Sequence, residues 1–167
     1  MRITRRVAWS NYVTVITVIM CVGFACIVFI ANMPHHLSIL IFAGIGIVIL
    51  SAFYYSPMAI SVDCHNLIIR RMLTPKYIAI NDIAEVRLFQ TTMDIRITGS
   101  GGFFGYFGWF RNREIGKYFA YIGKWNDTFL IKMKSGRKYI ISCNQPEVIV
   151  KSIMDSISSL NAENNNK

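Results

Sequence analysis

The sequence predicts a membrane-anchored α+β protein, in which a transmembrane helical hairpin precedes a domain of short antiparallel strands that ends in an amphipathic helix. Three observations predict this fold class. The 167-residue chain is 53% hydrophobic and only 16% charged, which lies outside the usual range for soluble globular domains. Two long uncharged segments lie near the N-terminus. After Pro57, apolar and polar side chains alternate, as they do in half-buried strands.

The first element is predicted to be a pair of transmembrane helices within residues 12–56. Residues 12–31 and 37–55 carry no charge, and twenty apolar residues at 1.5 Å per residue cross a hydrocarbon core about 30 Å thick. Only residues 32–36 separate the two segments, so the helices should be antiparallel neighbours. A cleaved signal peptide is the alternative, but the first segment is longer than a signal h-region and a second span follows at once.

The distribution of basic residues predicts the orientation of this hairpin. Basic residues flank the hairpin on one side only: Arg2, Arg5, Arg6, Arg70 and Arg71. Because such residues favour the cytoplasmic side, both termini should be cytoplasmic, with residues 1–11 as a basic N-terminal segment. Neither span contains Asp, Glu, Lys, Arg or His, so transport by the hairpin alone is not expected.

Residues 57–160 are predicted to form one domain with about seven short antiparallel strands. The clearest pair is the hairpin of residues 129–143, where apolar residues alternate on both sides of a turn at Ser135-Gly136. Shorter alternating runs lie within residues 60–98, and residues 116–122 predict a further strand. The runs follow one another closely, so the connecting turns should be short.

The domain should end in an amphipathic helix. Asn144 can cap its N-terminus, Pro146 suits the first turn, and Glu147 lies three residues after the cap, as in a capping box. Apolar residues then recur at helical spacing as far as Leu160, which gives the helix one apolar face. The polar residues 161–167 are predicted to be a disordered tail.

This order of strands and helix resembles the pleckstrin-homology (PH) superfold, a bent antiparallel sheet or partly open barrel with a helix at one end. Residues 63–70 and 77–83 resemble the opening strands of bacterial PH domains. The glycine-aromatic run of residues 99–108 resembles one bacterial PH subfamily found behind paired membrane helices. The resemblance implies a PH-like fold for residues 57–158 but no catalytic residues, cofactor or assigned ligand. The expected location is the bacterial cytoplasmic (inner) membrane.

The candidate contact site is the glycine-aromatic run with the basic residues that follow it. Residues 99–110 contain five glycines and six aromatic residues, a composition atypical of strand and helix interiors. Three interpretations stay open: the rings complete the core, insert at the membrane interface, or dock a protein partner. The residues expected to make these contacts are Phe103, Phe104, Tyr106, Phe107, Trp109, Arg111, Arg113 and Lys117.

Other site chemistries lack the residue patterns that they need. Residues 99–102 could direct backbone N–H groups at a phosphate, but their spacing matches neither common nucleotide-binding loop. Three histidines, four cysteines without paired spacing and nine dispersed carboxylates predict no metal ligand set and no acid–base pair. Neither catalysis nor a cofactor or metal is therefore expected. Basic and aromatic residues suited to nucleic acid are present, but a membrane anchor argues against that partner.

The function expected from these patterns is that of a non-catalytic, membrane-anchored interaction module. It would bind a protein partner, or a second copy of itself, at the cytoplasmic face of the membrane. The alternative is a sensor of anionic lipid headgroups or of a small ligand, in which Arg111, Arg113 and Lys117 make the contacts. Anionic lipids are expected partners in both cases, because the net charge is +9.

Overall fold

The structure, a computed structural model, describes residues 3–30, 34–71, 73–90 and 94–165. These residues form an α+β protein with three α-helices and ten strands. Nine of the strands lie within residues 57–160, where about seven were predicted. In chain order the elements are β1 (Ile3–Arg6), α1 (Asn11–Ile30), α2 (His35–Tyr55), β2 (Pro57–Val62), β3 (Asn66–Arg71), β4 (Lys76–Ala79), β5 (Ile83–Leu88), β6 (Asp94–Gly102), β7 (Gly105–Asn112), β8 (Gly116–Ile122), β9 (Thr128–Met133), β10 (Lys138–Ser142) and α3 (Pro146–Asn165).

The helices α1 and α2 are the two predicted apolar helices. Within the described residues, one helical segment, His36–Tyr55, is long and apolar enough to cross a membrane by length and composition. The segment Asn11–Cys26 of α1 is a shorter apolar helix. Large apolar side chains cover the surface of α2; Leu40 and Leu50, for example, are 67% and 68% exposed. The predicted turn includes residues 31–33, which lie outside the described residues.

The strands form two sheets, one of four strands in the order β1-β2-β3-β4 and one of six in the order β5-β9-β10-β8-β7-β6. The pairs are antiparallel except that β10 runs parallel to β8. The prediction of a purely antiparallel sheet was wrong at this pair. After β8, the chain forms β9 two positions farther along the sheet, and β10 then occupies the position between them. β9 runs antiparallel to β8, and β10 pairs antiparallel with β9. β10 therefore lies parallel to β8.

The smaller sheet contains a strand that was not predicted. β1 pairs with β2, with Arg6 opposite Ala59, and the next residue, Val7, is buried in the core. The Ser10 amide then donates a hydrogen bond to the Gly123 carbonyl at 3.1 Å. In the sequence this segment shows only a basic character, because four residues with two arginines are too few to display alternation. The helices α1 and α2 are therefore an insertion between the first two strands of one domain.

Apolar side chains cover both faces of the larger sheet. Ile131 and Ile141 belong to the main core, which the two sheets and α3 enclose. Their chain neighbours Leu130 and Ile140 point to the opposite face and form a smaller outer cluster with Trp125. The larger sheet is thus buried on both faces along its central strands.

The C-terminal helix closes the main core. It begins at Pro146, one residue later than a cap at Asn144 predicts, and Ile149 and Ile153 on its apolar face are fully buried. It extends to Asn165 and so includes residues 161–165 of the segment that was predicted to be a disordered tail. The last two residues lie outside the described part of the chain.

Candidate functional site

The glycine-aromatic run forms the hairpin of β6 and β7, and residues Phe103-Phe104 are the turn at its tip. Its composition is atypical of a strand, but the glycines are what allow the two strands to pair here. Gly99 and Gly108 lie opposite each other with φ of +111° and +126°, a conformation that essentially only glycine adopts. A Cβ on Gly108 would lie 2.8 Å from the Cα of Gly99. The two backbones can approach this closely only without side chains.

Phe104, in the hairpin tip, makes contacts with both helices. Its amide donates a hydrogen bond to Thr17 Oγ1 at 3.1 Å, and its carbonyl accepts one from Ser56 Oγ at 2.9 Å. Its ring makes edge contacts with the rings of Trp9 and Phe53, with centroid distances of 5.7 and 5.4 Å. Both backbone polar groups of Phe104 are thus satisfied, one by Thr17 in α1 and one by Ser56 directly after α2, which fixes the hairpin tip against α1 and the end of α2.

The helix surface beneath the tip is buried, in contrast to the rest of the helix pair. Val13, Thr17 and Ala52 are buried, although most of the described residues around them in α1 and α2 are exposed or half-buried. The Thr17 hydroxyl donates to the Val13 carbonyl at 2.7 Å while it accepts from Phe104. This hydroxyl therefore uses its donor and one acceptor position to join helix and hairpin.

A row of aromatic rings continues from the end of α2 across β7 and β8. Tyr55 stacks on Phe107 with a centroid distance of 5.7 Å, and Trp109 contacts Phe119 edge-on at 5.3 Å. The ammonium group of Lys117 lies 4.7 Å from the centre of the Trp109 ring, within the range of a cation–π contact. Four of the predicted contact residues share this face of the sheet, because Arg111 lies directly opposite Lys117: Phe107, Trp109, Arg111 and Lys117.

Tyr106 lies on the opposite face from Phe107. Its ring packs against Trp125 at 5.0 Å and joins the outer cluster. Burial raises the pKa of the Tyr106 hydroxyl, while its hydrogen bond with Trp125 lowers it. Tyr106 therefore fills the fold and remains neutral at physiological pH.

Arg111 and Arg113 lie at the end of β7 opposite to the tip. Both side chains are exposed, and with Ile95 they line a shallow groove of about 490 Å³. Seven residues of extended chain separate Arg111 from Phe104, which corresponds to about 23 Å. The structure therefore divides the predicted site into two parts. Phe103 and Phe104 lie at the helices, and the basic residues lie at the far end of the strand.

The sequence pattern of a known family, described as "Bacterial PH domain", matches residues 58–157. This match covers more than half of the chain. The chain belongs to the bacterial PH domain family. The predicted resemblance is confirmed for this domain, while neither curated proteins nor solved structures yield a match. The matched region begins one residue into β2, so the strand β1 that completes the smaller sheet of this PH domain lies outside it.

The PH domain also has an open sheet edge that sequence reasoning missed. β6 is the last strand of the larger sheet, and no strand in the described part of the chain pairs with its outer edge. The side chains from Ile95 to Thr98 are exposed on both faces of this strand, and Ile95 is 72% exposed. The alternation of Ile95 and Ile97 predicted a strand here, but local alternation does not distinguish an edge strand from a central one.

Proposed function

We propose that this PH domain is a non-catalytic interaction module, anchored in the bacterial cytoplasmic membrane by α1 and α2. Its open β6 edge binds a protein partner or a second copy of the chain at the cytoplasmic face. The observation that carries the proposal is this edge, which pairs with no strand in the described part of the chain and has exposed side chains on both faces from Ile95 to Thr98. Exposed edges of this kind pair readily with a strand from another chain.

The topology of the chain supports a two-span anchor. Because β1 pairs with β2, the chain enters α1 and leaves α2 at the same end of the helix pair. A chain that crosses a bilayer through His36–Tyr55 must cross it a second time to bring these two strands together, and α1 is the segment available for that crossing. The basic residues near this end favour a cytoplasmic domain and cytoplasmic termini.

The contacts of the hairpin tip support a fixed position of the β6 edge relative to the helices α1 and α2. β6 ends at Gly102, next to the tip that Thr17 and Ser56 hold against the helices. The strand therefore has one end at the helix pair, while its exposed residues Ile95 and Ile97 lie farther along. A partner strand on this edge would be held at a defined distance from the bilayer, and the two isoleucines would offer it apolar contacts.

A photoreactive residue at Ile97 in the full-length chain, activated in native membranes, tests this proposal. We expect a reproducible protein adduct, either with a partner or with a second copy, identified by mass spectrometry. The matched control is the same residue at Met154, which is 46% exposed but lies on α3 rather than at a sheet edge, and no equivalent adduct is expected there. Lipid adducts alone at position 97, or equal protein adducts at both positions, would contradict binding at the β6 edge.

A second candidate function is the sensing of anionic lipid headgroups or a small ligand by Arg111, Arg113 and Lys117. It is favoured by the exposure of all three cations, none of which forms an ion pair within the described residues. Charge reversal at all three positions should then reduce the anionic lipid that copurifies with the full-length chain in low salt, since these contacts are screened by salt. Unchanged lipid content would leave the interaction module as the better proposal.

A further inference from the structure

A second basic cavity lies at the base of the helices, away from the basic end of β7. It has a volume of about 660 Å³ and is lined by Arg6, Arg70 and Arg71 together with Trp9 and Met58. The described residues that line it include no carboxylate, and none of the three arginines forms an ion pair within the described part of the chain. We call it the arginine cavity; it concentrates three positive charges without compensation.

The strand register places two of these arginines on either side of a small residue. Arg6 on β1 lies opposite Ala59 on β2, which in turn lies opposite Arg70 on β3. Directly opposed residues share one face of a sheet, and two strand spacings separate the arginine backbones by about 10 Å. The Ala59 side chain is too short to fill this space. It forms the floor of a trough that both guanidinium groups can reach.

The third arginine lies at the end of α2. The Arg71 guanidinium lies over the rings of Tyr54 and Tyr55, at 5.5 and 5.8 Å from their centres. Its Nε donates a hydrogen bond to the Thr74 carbonyl at 3.0 Å. These contacts hold the cation beside the last turn of α2. In the membrane-anchored arrangement proposed above, this is the level of the lipid headgroups.

The remaining wall of the arginine cavity is apolar. Trp9 lies two residues before α1, and Met58 is 49% exposed three residues after the end of α2. A bulge in β2 between Pro57 and Ala59 sets Met58 out of the regular ladder. The cavity therefore combines cations with apolar surface, which suits an amphiphile better than a free anion.

We propose that the arginine cavity binds the phosphate of an anionic phospholipid headgroup. Arg6 and Arg70 contact its oxygens across Ala59 through charge-assisted hydrogen bonds, a geometry that suits the guanidinium group. Trp9 and Met58 contact the glycerol and the first carbons of the acyl chains. This inference rests on the proposed membrane anchor and assigns lipid contact to residues other than Arg111, Arg113 and Lys117. The bound lipid would hold β1, β2 and β3 at the bilayer surface.

The test uses the full-length chain in nanodiscs that contain phosphatidylglycerol and phosphatidylcholine. Native mass spectrometry then measures the phosphatidylglycerol that the released protein retains. The wild-type chain is expected to retain it. The double variant Arg6→Gln/Arg70→Gln should bind it about thirtyfold more weakly, because each cation at a membrane surface contributes about fivefold in affinity. Undiminished retention by this variant would overturn the proposal.

Two further variants keep the result interpretable. Ala59→Leu keeps both arginines but fills the trough, and it should also lose the lipid even if the double variant is unstable. Lys134→Gln/Arg137→Gln removes two exposed charges from the β9–β10 turn and should retain the lipid. Retention by Ala59→Leu, or an equal loss in the Lys134 and Arg137 variant, would contradict a site at the trough.

Competition with inorganic phosphate distinguishes binding of a lipid headgroup from binding of a free phosphate ion. Inorganic phosphate added in detergent at millimolar concentration should not displace the retained phosphatidylglycerol, because it lacks the apolar contacts with Trp9 and Met58. Displacement would overturn the lipid assignment in favour of a soluble phosphate. Failure of the membrane anchor would be seen separately, as a chain that does not enter nanodiscs at all.

Discussion

The PH domain contains two long hairpins that are stabilised in different ways. In β9–β10, Phe129 and Ile141 are fully buried in the main core, and a simple turn with Gly136 joins the strands. In β6–β7, the amide of the tip residue Phe104 donates a hydrogen bond to Thr17 in α1, and its carbonyl accepts one from Ser56, which follows α2. A hairpin that packs within its own sheet shows regular alternation of apolar residues. One that packs against another element instead shows residues suited to that contact, here glycines and aromatic rings.

The largest expected difference between the hairpins lies in their glycines. Gly108→Ala should lower the free energy of unfolding by about 3 kcal/mol or more. Its φ of +126° is unfavourable for alanine, and the new Cβ would collide with the backbone of β6. Chemical denaturation of the purified full-length chain measures the loss.

Gly136→Ala is the matched control for this glycine. Gly136 has φ of +82° in the β9–β10 turn, and a Cβ there would meet nothing within 4 Å. Only the left-handed backbone conformation opposes the substitution, so a loss of about 1 kcal/mol is expected. Equal losses at the two positions would show that close approach of the strands at Gly108 does not limit stability.

A smaller effect is expected from the ring at the tip. Phe104→Ala removes the edge contacts with Trp9 and Phe53 and should weaken the attachment of the hairpin to the helices by about 2 kcal/mol. Hydrogen exchange should then become faster at the Phe104 amide and around Thr17. Phe103→Ala is the control, because the Phe103 ring packs on Phe104, and it should change this exchange less. Exchange unaffected by Phe104→Ala would contradict the attachment.

The smallest effect concerns the thiol that follows β10. Burial, with smaller contributions from Glu147 and Asp127, raises the pKa of Cys143 from 9.0 to about 12. The stability that the neutral thiol contributes is fully present below pH 9, the unfolded value, and is lost as the pH rises towards 12. At pH 8.5 we expect maleimide to label the exposed Cys64 but not Cys143, as read by peptide mass spectrometry. Labelling of Cys143 as fast as Cys64 in the folded chain would contradict this.

Elements with local signals were predictable from the sequence. The strand at residues 116–122 has the predicted bounds, and the turn at Ser135-Gly136 joins β9 and β10 as expected. The C-terminal helix begins within one residue of the predicted start. In each case the signal is alternation, turn chemistry or capping within a few residues. Such signals do not depend on the rest of the fold.

Elements that depend on distant partners were not predictable. β1 has only four residues, and its partner β2 follows the whole helical insertion. The parallel pairing of β8 with β10 depends on where β9 lies in the sheet, not on the composition of either strand. The candidate site shows the same limit. Sequence proximity suggested that Phe104 and Arg111 act together, but an extended strand keeps them apart.

The amino-acid sequence alone determined the apolar helices, the class of domain, most strand positions and the basic character of the chain, because these depend on hydrophobicity, period and turn residues over short stretches. Only the tertiary structure decided what those residues contact. It placed Phe104 against Thr17 and Ser56, and it brought Arg6 and Arg70 to opposite sides of Ala59. The physical reason is that cross-strand register joins segments that are far apart in the chain, and no local pattern specifies that register.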